Sequence, residues 1–198
     1  MKEFWNERYA QDTFVYGTEP NEFLRDNLKK MEAGKIILPC DGEGRNAVFA
    51  ALLGWQVNAF DFSSSAKAKA NKLAKEMNVS PHYETADIHE KEYPENSANV
   101  VALIYAHFPE ELRKLAHQKA IKWLKPGGKI ILEAFNPDQI NNNSGGPKNV
   151  EMLYTKEILK EDFKDLNIEL LEITETHLTE GKYHEGKADI IRLIATKP

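Results

Sequence analysis

The sequence has little of what marks several protein classes, and each shortage excludes something. Of its 198 residues only Cys40 is a cysteine, so it forms no internal disulfide and no cysteine-ligated zinc or iron–sulfur centre. The six histidines show neither H-E-x-x-H nor any other paired ligand spacing, and no metal site is expected. No apolar run approaches the roughly 18 residues of a membrane span. The first residues, with Glu3, Glu7 and Arg8, lack the apolar stretch of a signal peptide. A soluble, cytoplasmic protein with no membrane partner is therefore expected. Basic residues are also in deficit: 26 Lys and Arg against 31 Asp and Glu leave a net charge of −5. A surface that follows phosphate backbones needs clustered Lys and Arg, so nucleic acid is not an expected partner. With 41% hydrophobic and 10% aromatic residues the chain is not polar enough for disorder, and its length suits one domain over residues 1–198.

What is present is an alternation of short apolar runs with helical patterns from Lys35 onward, the mark of βαβ units around a parallel sheet. Strands are expected at Ile36 to Pro39, Gln56 to Phe60, His82 to Glu84 and Val100 to Tyr105, the last apolar throughout and so suited to the sheet centre. Between them Ala47 to Leu53 reads as a buried helix stopped by Gly54. Ala66, Ala70, Leu73, Ala74 and Met77 mark one face of a second helix. Leu112, Leu115, Ala116, Ala120, Trp123 and Leu124 mark a third, which ends at Lys125-Pro126-Gly127-Gly128, a type II turn leading into a strand at Ile130 to Phe135. Asn141 to Gly146 is expected to be a loop and Lys156 to Asp165 a short helix. Ile168 to Thr176 and Ala188 to Thr196 form an antiparallel hairpin turned near Gly181 and Gly186. Helical patterns at Phe4 to Ala10 and Asn21 to Lys30 make residues 1–34 a segment outside the core of 35–198.

After the first strand, Gly42, Gly44 and Ala47 match G-x-G-x-x-A at a strand-to-helix turn. Glycines there let the backbone approach a ligand, and the free N–H groups of a helix start attract a carboxylate or a phosphate. Asp61 stands at the end of the second strand, close to the ~20-residue separation of an acid that binds ribose hydroxyls, so an adenosine moiety is the economical inference.

Leu38-Pro39-Cys40-Asp41-Gly42-Glu43-Gly44-Arg45-Asn46 resembles motif I of class I methyltransferases. Leu124-Lys125-Pro126-Gly127-Gly128-Lys129 resembles the L-K-P-G-G segment before their fifth strand. The pattern Trp5, Tyr9, Tyr16-Gly17, Pro20-Asn21 extends the resemblance to small bacterial methyltransferases of the tellurite-resistance and thiopurine type. It implies a Rossmann-like three-layer sandwich, with a mostly parallel seven-stranded sheet ending in an antiparallel C-terminal hairpin. It also implies S-adenosylmethionine as cofactor and a small molecule, a thiol or chalcogen oxyanion, as methyl acceptor. By position it puts methionine near Pro39, Asp41, Gly42 and Gly44, ribose on Asp61 and adenine beside Phe62, Asp87 and Ile88, while Tyr105, Ala106 and His107 border the methyl group. The chain departs from the motif where Leu38 replaces the usual acid and Cys40 the first glycine. Recognition of the amine then falls to Asp41 or to main-chain carbonyls.

Methyl transfer runs largely on alignment, so no obligatory nucleophile is expected. A thiolate needs little more, whereas a neutral amine or hydroxyl loses a proton that a base such as His107 would take. Trp5, Tyr9 and Tyr16 are expected to fold over the cofactor, where aromatic faces favour a sulfonium, although Trp5 and Tyr9 also have the spacing of plain helix packing. His177 and His184 fall on or near the hairpin, where similar enzymes carry substrate-facing loops. Two other readings satisfy the glycine turn and Asp61: an NAD(P)-dependent oxidoreductase, and a noncatalytic domain that senses S-adenosylmethionine.

Overall fold

The computed structural model describes residues 2–198. Seven strands form one sheet in the order β3-β2-β1-β4-β5-β7-β6, and the backbone divides into two compact units. The first comprises the chain up to Lys91 with Glu180–Tyr183, the second Glu92–Thr179 with His184–Pro198.

The first unit holds α1 (Lys2–Tyr9), α2 (Glu22–Leu28), β1 (Lys35–Pro39), α3 (Arg45–Leu52), β2 (Gln56–Asp61), α4 (Ser64–Glu76) and β3 (His82–Thr85). β1 and β3 flank β2 in parallel, Pro39 opposite Phe60 and Asp61 opposite Thr85, so β1 and β2 finish at one end. Ile36, Ile37 and Leu38 are fully buried, as a strand covered on both faces requires. α3 buries Ala47 and Ala50 and is closed by Gly54 in the left-handed region. In α4, Ala66, Ala70, Leu73 and Ala74 turn inward as their spacing predicts, and Ser63 caps its first turn by accepting the Ala66 amide at 3.2 Å. Met77 departs from that face: it caps the helix C-terminus and is exposed, because the helix stops before completing the turn that would bury it.

The second unit holds β4 (Ala98–Ile104), α5 (Glu110–Trp123), β5 (Leu124–Phe135), α6 (Lys156–Asp162), β6 (Asn167–Thr179) and β7 (Glu185–Thr196). β4 and β5 are parallel, while β7 is antiparallel to both β5 and β6. β5 starts six residues before the expected Ile130 because Leu124 already pairs with Ala98. Pro126-Gly127-Gly128 lies in the irregularity that follows, with Gly127 at φ 77. The asparagine-rich loop is anchored: Gln139 Oε1 accepts the Asp189 amide at 2.8 Å, its Nε2 donates to Ser144 Oγ, and Asn142 donates to Asp189. No helix is long and apolar enough to cross a membrane among the described residues.

Candidate active site

The β1-to-α3 turn combines backbone conformations that few residues tolerate. Cys40, Gly42 and Gly44 all have positive φ, of 56°, 59° and 85°. Glycine adopts this region freely, and an L side chain such as that of Cys40 does so at a cost. The two glycines are also sterically required. A Cβ on Gly42 would lie 2.7 Å from Tyr9 Oη, and one on Gly44 would lie 2.5 Å from Ala70 Cβ. Gly44 has no side chain with which to cap α3, and Asp41 supplies the acceptor instead, taking the Ala47 amide at 3.2 Å. From below, Tyr83 Oη donates to the Gly42 carbonyl at 2.5 Å.

Asp61 faces this turn. Its Oδ2 accepts the Gly42 amide at 3.2 Å and its Oδ1 the Ser63 amide at 2.9 Å. Burial raises its carboxyl to about 6, with Asp87 adding to the rise, and burial raises that of Asp41 to about 7. Phe62 is half-buried, Ile88 is buried, and Asp87 is exposed with its Oδ1 accepting the His89 amide. Of the N-terminal aromatics, Trp5 stacks on Tyr9 at 5.4 Å, Tyr16 packs edge-on against Tyr9, and Arg8 donates to Tyr16 Oη at 3.0 Å. Tyr9 packs in α1 as its helix spacing predicts, and its hydroxyl lies where a Cβ on Gly42 would stand.

These features have two properties of a cofactor site: a positive-φ glycine turn at the end of a strand, and carboxylates raised by burial with no ion-pair partner among the described residues. Such carboxylates give up their protons more readily when a cation arrives, as the amine and sulfonium of S-adenosylmethionine require. The residues present fit the group.

A second cluster lies beyond β4. Tyr105 is held at φ 52, an uncommon conformation for a bulky residue. Its ring stacks on Phe135 at 4.7 Å and meets His184 edge-on at 4.7 Å, and its hydroxyl donates to Glu133 Oε1 at 2.8 Å. Glu133, itself buried, also accepts from Arg192 Nε at 2.7 Å. His107 has both ring nitrogens engaged: Nε2 accepts the Phe135 amide at 3.1 Å, so Nδ1 carries the proton and donates to the Met152 carbonyl at 2.7 Å. Burial lowers its pKa to about 4, helped by His184. A neutral imidazole with no free lone pair holds backbone rather than accepting a proton. His177 stands apart, exposed on β6 opposite Lys187.

Sequence reasoning missed Glu43, Tyr83 and Glu133. The one available signal was for Glu133, a lone acid in the apolar run Ile130 to Phe135. Tyr83 and Glu43 act through contacts far apart in sequence.

Residues 39–128 match the family model described as a methyltransferase domain. The chain is 26% identical over 179 residues to the probable S-adenosyl-L-methionine-dependent methyltransferase TehB of Haemophilus influenzae. That alignment covers 84% of this chain and 60% of TehB, so the chain spans about three fifths of the relative's length. The crystal structure of TehB from Haemophilus influenzae superposes with a TM-score of 0.72 at 16% identity, covering 100% of this chain and 67% of that one. A structure from work on the conversion of a disulfide bond into a thioacetal group during echinomycin biosynthesis gives a TM-score of 0.81 at 15% identity, covering 100% and 91%. These likenesses carry the Rossmann-like fold, and the sequence matches are to methyltransferases.

Proposed function

We propose that the chain works as a single domain that transfers a methyl group from S-adenosylmethionine to a small soft nucleophile, a thiol or a chalcogen oxyanion. The observation that carries this reading is the turn at Gly42 and Gly44, faced by Asp61 and Asp41, whose carboxyls are raised by burial and have no ion-pair partner among the described residues. In this reading Pro39, Asp41, Gly42 and Gly44 hold the methionine end, Asp61 the ribose, and Phe62, Asp87 and Ile88 the adenine. Trp5, Tyr9 and Tyr16 cover the cofactor from the N-terminal segment. When bound, the cofactor supplies an electrophilic methyl on a sulfonium. Tyr105 borders the methyl group and His184 faces the acceptor.

The choice of a soft nucleophile follows from His107: with both nitrogens committed to backbone groups it takes no proton, so an acceptor already anionic at neutral pH suits the site. The sulfur chemistry named for one fold neighbour supports the same class. Calorimetry with S-adenosylmethionine and its demethylated product tests the cofactor. Asp61→Ala should weaken binding at least about tenfold, the worth of charge-assisted hydrogen bonds. Saturable NADH binding without response to S-adenosylmethionine would replace this reading with an oxidoreductase. A screen of small thiols, selenite, tellurite and small amines tests the acceptor: turnover with amines alone would overturn the soft-nucleophile assignment. Tight binding of the demethylated product without any turnover would favour a sensor.

A further inference from the structure

Between the two glycines of the turn stands Glu43, which is 3% exposed although it is charged. Its carboxylate is fully used. Oε2 accepts the amides of Val15 at 2.8 Å and Tyr16 at 3.1 Å, and Oε1 accepts the Lys69 ammonium at 2.8 Å. The same ammonium donates to the Thr13 carbonyl at 2.5 Å. One buried ion pair thus holds the N-terminal segment at three points, Thr13, Val15 and Tyr16.

The opposite side of this segment is also held. A Cβ on Gly181 would lie 2.7 Å from Gly17 N and 2.8 Å from the Val15 carbonyl. Tyr183 packs against Tyr16 at 6.1 Å, and Glu180 pairs with Arg45 at 2.9 Å. Turn, segment and hairpin tip are therefore stacked, with Glu43 as the charged link between the first two. A buried carboxylate that lost these donors would carry a large desolvation cost, so the link favours one arrangement of segment and turn.

We propose that Glu43 is a positioning residue, which through Val15, Tyr16 and Lys69 locks the aromatic N-terminal segment onto the glycine turn and thereby sets cofactor affinity. The inference rests on the methyltransferase reading for its second half only. A Glu43→Gln side chain keeps the shape but turns an amide N–H₂ toward donors and removes the charge facing Lys69.

In ligand-free full-length protein followed by amide hydrogen exchange, Glu43→Gln should speed exchange at Val15 and Tyr16 by about tenfold or more. Amides in the middle of α3 should keep their wild-type rates. S-adenosylmethionine affinity by calorimetry should fall by about tenfold. Lys69→Met, which removes the ammonium but leaves both backbone amides bonded, should give smaller changes in the same direction. It serves as the test if Glu43→Gln does not fold. Unchanged exchange at Val15 and Tyr16 in the folded variants would overturn the lock. Faster exchange with unchanged affinity would overturn its link to the cofactor. Faster exchange in a protein whose wild type does not bind S-adenosylmethionine would keep the lock and reject the methyltransferase reading.

Discussion

Both units of the molecule bury aspartates, and they treat them in opposite ways. In the second unit Asp162 Oδ2 accepts Arg113 Nε at 2.8 Å and His117 Nδ1 at 2.7 Å, with all three side chains nearly inaccessible. Burial pushes the Asp162 carboxyl up, but the hydrogen bonds from His117 and Arg113 outweigh it and leave it below the usual range. In the first unit Asp61 and Asp41 have amide donors and no ion-pair partner among the described residues, Arg45 acting on Asp41 without pairing with it, and burial wins: their carboxyls rise to about 6 and about 7. Burial of an acid therefore does not by itself mark a site. A buried acid that the protein has already paired with a cation ties helices together, here α5 to α6. One left without a cation is a place where a cationic ligand completes the electrostatics.

The largest effect that tests this contrast is Asp162→Ala. It leaves Arg113 buried without its carboxylate and should cost about 3–5 kcal/mol by urea denaturation, with little change in cofactor affinity. A loss below about 1 kcal/mol would mean that the triad is not what joins the helices.

Asp61→Asn should act through a pH-dependent difference. A carboxyl whose folded pKa is raised adds stability that is present below its ordinary value of 3.8 and lost as pH rises through about 6. Asn cannot accept both the Gly42 and the Ser63 amide, so the variant starts with a loss at low pH; as pH rises through about 6 the wild type should lose about 1–3 kcal/mol relative to it, and the variant should bind S-adenosylmethionine more weakly. His107 and His117, both held below the usual imidazole range chiefly by burial, contribute stability that is lost as pH falls, in an overlapping window. The quantity to measure is therefore the difference between wild type and Asp61→Asn in thermal melts from pH 4 to 8. A flat difference would place the Asp61 carboxylate in a satisfied, purely structural role.

Smaller effects sharpen the comparison. Tyr105→Phe removes the hydroxyl that donates to Glu133 but leaves Arg192 in place. It should cost about 1 kcal/mol, and a larger fall in turnover than in melting temperature would assign the ring's setting to acceptor alignment. Smallest of all, Cys40→Gly releases a side chain held at φ 56. The relief of about 1–2 kcal/mol is offset by about 1 kcal/mol of extra freedom in the unfolded glycine chain. The melting temperature should stay level or rise slightly, and a marked drop would show that the thiol packs in a way its backbone conformation does not reveal.

The legible parts of the fold were those governed by local periodicity. Ile36 to Leu38, the inward face of α4 and the pair β6 and β7 follow from apolar spacing and turn residues. Boundaries set by long-range pairing were less legible, as with Leu124, which becomes strand only because Ala98 lies beside it. In the site, Gly42, Gly44 and Asp61 stood out because their chemistry sits at fixed offsets from a strand end. His107 also stood out, yet its lone pair is used by the Phe135 amide, a partner 28 residues away that no spacing rule announces.

The sequence by itself thus determined the class of the sheet, the place of the glycine turn and the acid opposite it, because each depends on residues close in sequence and on backbone conformations that glycine or a strand end dictates. The tertiary structure alone decided which charged groups are satisfied. It gave Asp162 its arginine and histidine, left Asp41 and Asp61 without an ion-pair partner among the described residues, and buried Glu43 against Val15, Tyr16 and Lys69. Those outcomes depend on where donors from distant segments come to rest, and the cost of an unpaired buried charge, several kcal/mol, makes them decisive for what each acid does.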